Sequence, residues 1–144
     1  MGALAQILHR RSAVLCTANP DQTVRDAARL LNEREIGAVL VVEGKSLVGI
    51  FTERDLLRRV VARNRSLDKT RLEEVMTRDP ITASPQEDRE NAIRKMQQVG
   101  CRHLPIMVGD NVIDVVSIRD LLFHEIAERE AEVHQLRSYI SGSY

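Results

Sequence analysis

The chain repeats itself. Thr17-Ala18-Asn19-Pro20 is echoed by Thr82-Ala83-Ser84-Pro85, and the offset of 65 residues then holds without a gap from 17–57 onto 82–122. Ala27 falls on Ala92, Arg29 on Arg94, Gly44 on Gly109 and Thr52 on Ser117; Arg54-Asp55-Leu56-Leu57 falls on Arg119-Asp120-Leu121-Leu122. One unit of about forty residues is written twice, so any fold must be assembled from two like halves.

Each unit spells the same elements. In the first, Thr23 with Asp26 makes a capping box, and Val24, Ala27, Ala28 and Leu31 fall on one helical face that ends at Gly37. The apolar runs 38–42 and 47–51 flank Glu43-Gly44-Lys45-Ser46 as a hairpin. After Thr52 a second helix runs through Leu56, Leu57, Val60 and Val61. The second unit gives a helix over about 89–99, strands over 104–108 and 112–116, and a helix from Asp120. Short strands are expected near Val14–Cys16 and Ile81–Thr82. A unit of this size cannot bury both faces of its sheet alone. Two of them packed sheet to sheet can, which predicts an α+β domain of β-α-β-β-α type repeats with pseudo-two-fold symmetry. The expected division is repeat 1 over 7–62, a linker over 63–80, repeat 2 over 81–123, and a C-terminal helix and tail over 124–144. Leu72, Val75 and Met76 suit a short linking helix. Arg89 takes the place of Val24 and is expected near the surface.

Composition narrows what such a molecule does. The 144 residues are 43% hydrophobic but only 3% aromatic, with no Trp, so the core is aliphatic. Charges balance at 21 against 21, which gives no whole-chain attraction for nucleic acid or an acidic membrane. The basic patches His9-Arg10-Arg11 and Arg58 to Arg65 read as solvated helix faces, and no aromatic stacking platform for nucleic acid is visible. No apolar stretch approaches the ~18 residues that span a bilayer, and the chain's start does not read as a secretory signal. Cys16 and Cys101 show no metal-type spacing and read as buried free thiols, consistent with a cytoplasmic setting. Without a nucleophile–base pair, a metal cluster or a Gly-rich phosphate loop, no catalytic or metal-binding residue is assigned.

The residues that could carry function are Thr52 to Asp55 and Ser117 to Asp120, a hydroxyl followed three on by a carboxylate at a strand-to-helix junction. One reading is a pair of helix caps, each contributing about 1 kcal/mol. The other is a nucleotide site. A helix N-terminus attracts an anion, a hydroxyl and the neighbouring Arg54 or Arg119 add donors and charge, and a carboxylate one turn on can accept from a ribose diol. The motif stands at the same place in both repeats, and in the first it follows Gly49, where a backbone can approach closely.

With the repeated T-A-x-P, the segments G-I-F-T-E-R-D-L and V-V-S-I-R-D-L, and C-R-H-L-P-I, the sequence resembles a tandem pair of cystathionine-β-synthase (CBS) domains of the stand-alone bacterial kind, over residues 7–123. The resemblance implies a regulatory rather than catalytic chain. It would bind an adenosine-containing ligand such as AMP, ADP, ATP, NAD(H) or S-adenosylmethionine, with no required cofactor. It also implies two clefts, each shared between the halves. The first would use Asp55 for the ribose, Thr52, Arg54, Arg102 and His103 toward phosphates, and Ile50, Ile81, Thr82 and Cys101 around the base. The second would use Ser117, Arg119 and Asp120 with Cys16, Thr17, Ile36, Gly37 and Ala38. Asp114 stands where the first repeat has Gly49, and a carboxylate there crowds or repels a phosphate, so the cleft of Asp55 is favoured.

After the second repeat, residues 121–140 run without Gly or Pro. Leu122, Ile126, Val133, Leu136 and Ile140 follow four- and three-residue steps, with Arg129 the polar member. This seam could fold back on the core or pair with its copy. The resemblance implies the homodimer, acting on a regulated protein that the sequence does not name. A ligand-free homodimeric adaptor is the other reading.

Overall fold

Gly44 and Gly109 fix the architecture first. Both adopt positive φ (63° and 60°), which reverses the chain between antiparallel strands, as the two apolar runs on either side require. The computed structural model describes residues 2–8 and 15–142. The patch His9-Arg10-Arg11, Val14 of the expected first strand, and the last two residues lie outside them.

The first half contains β1 (Thr17–Ala18), α2 (Val24–Arg34), β2 (Ala38–Glu43), β3 (Ser46–Thr52) and α3 (Glu53–Asp55); a helix α1 (Ala5–Leu8) precedes them. Beyond α3 the helix widens into π-type turns over Leu56–Val61. A linking helix α4 (Leu72–Val75) and a short β4 (Thr77–Arg78) lead to the second half, which holds α5 (Arg89–Val99), β5 (His103–Val108), β6 (Asn111–Ser117) and α6 (Ile118–Gly142). In the first sheet β1 lies parallel to β2, and β3 pairs antiparallel with β2 and β4. The second sheet is the antiparallel pair β5–β6. The strand expected at Ile81–Thr82 is replaced by a single parallel bridge, Ala83 to Ile106, at the position that matches Ala18.

Helix α2 ends three residues earlier than Gly37. Its cap is Glu35 in the left-handed region (φ 51°), the counterpart of Gly100 (φ 82°), which caps α5. Gly37 is instead held by the Glu53 amide, which donates to its carbonyl at 3.1 Å.

Three aliphatic layers hold the halves. Val24, Ala27, Leu31, Val39, Val41, Phe51 and Val60 form one core, closed by Leu72, Val75 and Met76 of the linking segment. Ala92, Met96, Leu104, Ile106, Val116 and Leu121 form the second, closed by Leu4 and Ile7 from the start of the chain. Between the sheets, Ala38, Leu40 and Ile50 meet Leu47, Val112 and Val115. Thus α1 covers repeat 2 while α4 covers repeat 1, with Leu4 and Ile7 occupying the roles of Leu72 and Val75. Backbone bonds confirm the crossing: the Leu4 and Ala5 amides donate to Glu87 and Pro85, whereas the Val24 and Arg25 amides donate to Thr70 and Leu67.

Arg89 is not at the surface. It is 3% exposed, because the Gly2 carbonyl accepts from its amide (3.1 Å) and α6 passes over its guanidinium. Glu125 lies 3.1 Å away, and Glu128 pairs with the other nitrogen. An arginine in an apolar position is tolerated here because α6 continues past the repeat and brings carboxylates to it.

Beyond Ala127 helix α6 leaves the body of the molecule, and nearly every residue on it is exposed. It does not fold back on its own core. Among the described residues no helix is long and apolar enough to cross a membrane.

Candidate functional site

Hairpin β2–β3 delivers Thr52 to the junction with α3, where the first residues after a strand must satisfy their own backbone. They do so locally. The Asp55 amide donates to Thr52 Oγ1 (3.2 Å), and the Thr52 amide donates to Asp55 Oδ2 (3.0 Å). In the second repeat the Asp120 amide likewise donates to Ser117 Oγ, at 3.1 Å. Both motifs are therefore helix caps. The Glu53 amide is spent on Gly37, as the Ile118 amide is on Arg102 at the matching place (2.8 Å). Few free N–H groups remain at α3 for an anion, so anion binding there falls to side chains.

The cap of Asp55 uses one oxygen. The other, Oδ1, lies 3.6 Å from Arg59 Nε, and Arg59 donates through Nη1 to the carbonyls of Val75 and Met76 (3.0 Å each). Asp55 is 9% exposed, yet it borders a cavity of about 370 Å³, within the range of about 300–1,000 Å³ typical of small-molecule pockets. Both repeats and the linking segment supply its wall. Ile50, Thr52, Arg54 and Asp55 come from the first, Thr77 and Pro80 from the connection, and Ile81, Cys101, Arg102 and His103 from the second. Eight of the nine residues expected around the first cleft meet there.

Thr82 does not. Its carbonyl accepts from Lys95 Nζ at 2.8 Å, toward α5. Gly37, expected in the second cleft, lines this one, drawn in by its bond to Glu53. A Cβ on Gly37 would stand 2.8 Å from His103 Nε2 and 2.9 Å from Glu53 Oε1, so the bare backbone makes room for both. Glu53, inside the motif, and Arg58 and Arg59, expected on a solvated helix face, also line the cavity, as do Thr77, Pro80, Val99 and Gly100, which no sequence signal marks. Arg58 and Arg59 follow Arg54 at four and five residues, a spacing that could have been read as one face. Both reach the cavity from the π-type turn.

His103 sits between the two motifs. Burial pushes its pKa down, with Glu53 and Asp120 opposing and Arg102 assisting, so it is neutral at pH 7. Burial raises the thiols of Cys101 and Cys16, which stay protonated and unreactive.

The residues expected in the second cleft are more dispersed. Ala38 is buried between the sheets, Cys16 and Ile36 pack beside the first core, and Thr17 is exposed on β1. Ser117 caps α6, and Arg119 lies over the Phe123 ring, 5.6 Å from its centre. Asp114 Oδ1 accepts from the neighbouring Val115 amide at 2.7 Å. At the matching place, a Cβ on Gly49 would meet Thr77 O at 2.9 Å and Met76 Sδ at 2.5 Å. Glycine is required there by β4 of the same chain. No group of three or more metal-ligating side chains occurs among the described residues.

Two α+β repeats packed sheet to sheet, with a cleft at their strand-to-helix junctions, define a paired-repeat module. The CBS domain profile matches residues 6–62 and 72–126, and the chain belongs to that family. It is 32% identical over 117 residues to the CBS domain-containing protein YhcV of Bacillus subtilis, covering 81% of this chain and 83% of YhcV. It is 34% identical over 134 residues to the mitochondrial CBS domain-containing protein CBSX3 of Arabidopsis thaliana, covering 90% of this chain but only 64% of that protein. Among solved structures, a protein with CBS domains from Burkholderia ambifaria superposes with a TM-score of 0.82 at 36% identity, covering 88% of this chain and 95% of its own. The CBS domain pair of protein MJ0100, solved in complex with 5′-methylthioadenosine and S-adenosyl-L-methionine, superposes with a TM-score of 0.78 at 25% identity, covering 89% and 98%.

Proposed function

We propose that this chain is a non-catalytic regulatory module. It binds an adenosine-containing ligand in the cleft of Asp55 and, as a homodimer, passes its occupancy to a partner protein. The observation that carries this reading is the cavity itself, walled by both repeats, with Ile50, Ile81, Val99 and Cys101 as an apolar slot and arginines beside it. A ligand touching both halves favours one arrangement of them over others, which is all a sensor needs. The helices after β3 and β6 expose matched apolar residues, Leu57 with Leu122 and Val61 with Ile126, and these suit a two-fold face.

A thermal-shift series with AMP, ADP, ATP, NAD(H), 5′-methylthioadenosine and S-adenosylmethionine tests the proposal. A ligand at a hundred times its Kd should add about 2.7 kcal/mol of stability. Asp55→Ala should abolish that gain. Because it also removes a cap, Asp26→Ala, which breaks the equivalent capping box in α2, serves as the control and should keep the gain. A gain that survives Asp55→Ala but not Asp120→Ala would move the site to the other cleft. The second reading, a ligand-free adaptor, is favoured by the complete capping role of Thr52 and Asp55; it predicts no shift with any of these compounds.

A further inference from the structure

The cleft that lines up Asp55 is strongly basic in a way that the caps do not explain. Four guanidinium groups border it, from Arg54, Arg58, Arg59 and Arg102. Arg59 is committed: it holds the carbonyls of Val75 and Met76 and faces Asp55 Oδ1. The other three have no ion-pair or hydrogen-bond partner for their side chains among the described residues. Glu53 is the one remaining carboxylate in the wall, and it stands toward Gly37 and His103. With Arg59 and Asp55 cancelling, and His103 uncharged, the wall carries an excess of two positive charges. Like charges gathered around a partly enclosed cavity raise its potential and favour a multivalent anion there.

The arginines are also spread out. Arg54 and Arg58 are one helical turn apart, about 6 Å along the axis, and Arg102 approaches from the other repeat. The three come from two repeats, so an extended anion of linked phosphates can engage more of them at once than a single phosphate does. Arg58 reaches the cavity from the π-type turn at Leu56–Val61, and the matching residues of α6 are ordinary α-helix. Such local widening commonly marks a functional position in a helix.

We infer that this cleft selects adenosine compounds carrying two or more linked phosphates over the monophosphate and over sulfonium or uncharged thioether nucleosides, with Arg58 determining the preference. This rests on the adenosine-binding reading above. The shared chemistry is the pyrophosphate unit, which a nucleoside di- or triphosphate and a dinucleotide both present.

Isothermal titration of the full chain with ADP, ATP, NAD, AMP, 5′-methylthioadenosine and S-adenosylmethionine tests it. The pyrophosphate-bearing compounds should bind at least about tenfold tighter than AMP, an advantage of about 1.4 kcal/mol, and the two sulfur compounds weakest. Raising salt should erode the ADP advantage more than AMP binding itself. Arg58→Gln should weaken ADP binding at least about fivefold more than it weakens AMP binding; Arg58→Lys should restore part of the difference. ADP binding alone marks a nucleotide ligand, and NAD binding alone a dinucleotide. Equal affinity for AMP and ADP, a preference for S-adenosylmethionine, or an Arg58→Gln loss shared equally by AMP and ADP would overturn the selectivity and leave adenosine binding standing. Binding of none of the six would remove the adenosine reading, and this inference with it.

Discussion

Arg89 shows how far a single position can be misjudged when only its own repeat is considered. Periodicity puts it in the first turn of an amphipathic helix, where an arginine ordinarily snorkels to water. Its burial depends on Gly2, 87 residues earlier, and on Glu125 and Glu128, which lie beyond the repeat. None of these contacts is periodic, so nothing local announces them. Removing one member of a buried ion pair leaves the other charge without compensation. Arg89→Ala should therefore lower stability by about 3 kcal/mol, seen as a drop of roughly 10 °C in Tm. Arg89→Met combined with Glu125→Leu should recover most of the loss, and a Tm unchanged in the single variant would show that the pair contributes nothing. The caps were legible for the opposite reason. Thr23 with Asp26 and Thr52 with Asp55 satisfy their helices within three residues, and both form as spelled.

Among the elements, the four long strands follow directly from short apolar runs and the positive-φ glycines between them. The short ones do not. A two-residue strand such as β4 has no pattern of its own, and it exists because Gly49 leaves space for the Thr77 carbonyl. A methyl group there would force β4 away, so Gly49→Ala should destabilise the first repeat by about 1–3 kcal/mol. Since Thr77 and Pro80 also border the cleft, ligand affinity should fall with it, measured by denaturant melts and titration on the same variant. A full-affinity variant would show that β4 does not shape the cavity. The π-type turn after α3 was equally hidden, because Leu56, Leu57, Val60 and Val61 fit an α-helical stripe. Only the structure shows that Leu57 and Val61 face outward while Val60 enters the core. Of the residues around the first cleft, the repeat marked Thr52, Arg54 and Asp55, while Ile81, Cys101, Arg102 and His103 came from the family resemblance. Its arginines at 58 and 59 were marked by neither, since a run of basic residues on a helix ordinarily faces solvent.

At the scale of the whole molecule, the offset of 65 residues predicts more than two similar cores. It predicts that surface features come in pairs. Leu57 and Leu122 are 61% and 44% exposed at equivalent places, more apolar surface than an isolated module has reason to present. If copies associate through this face, Leu57→Asp together with Leu122→Asp should convert a dimer into a monomer by light scattering. The melting of each subunit should hardly change, because neither side chain enters a core. A dimer that persists would assign association to the protruding part of α6. One more consequence follows from the segments at residues 2–8 and 72–76, of which the first seals the half farther from it in sequence and the second, in the connection, seals the half before it. Severing the chain between residues 62 and 72 would leave each fragment holding the other's lid. The two fragments are thus interlocked, and a disturbance at Leu4 or Ile7 is felt first in the second half.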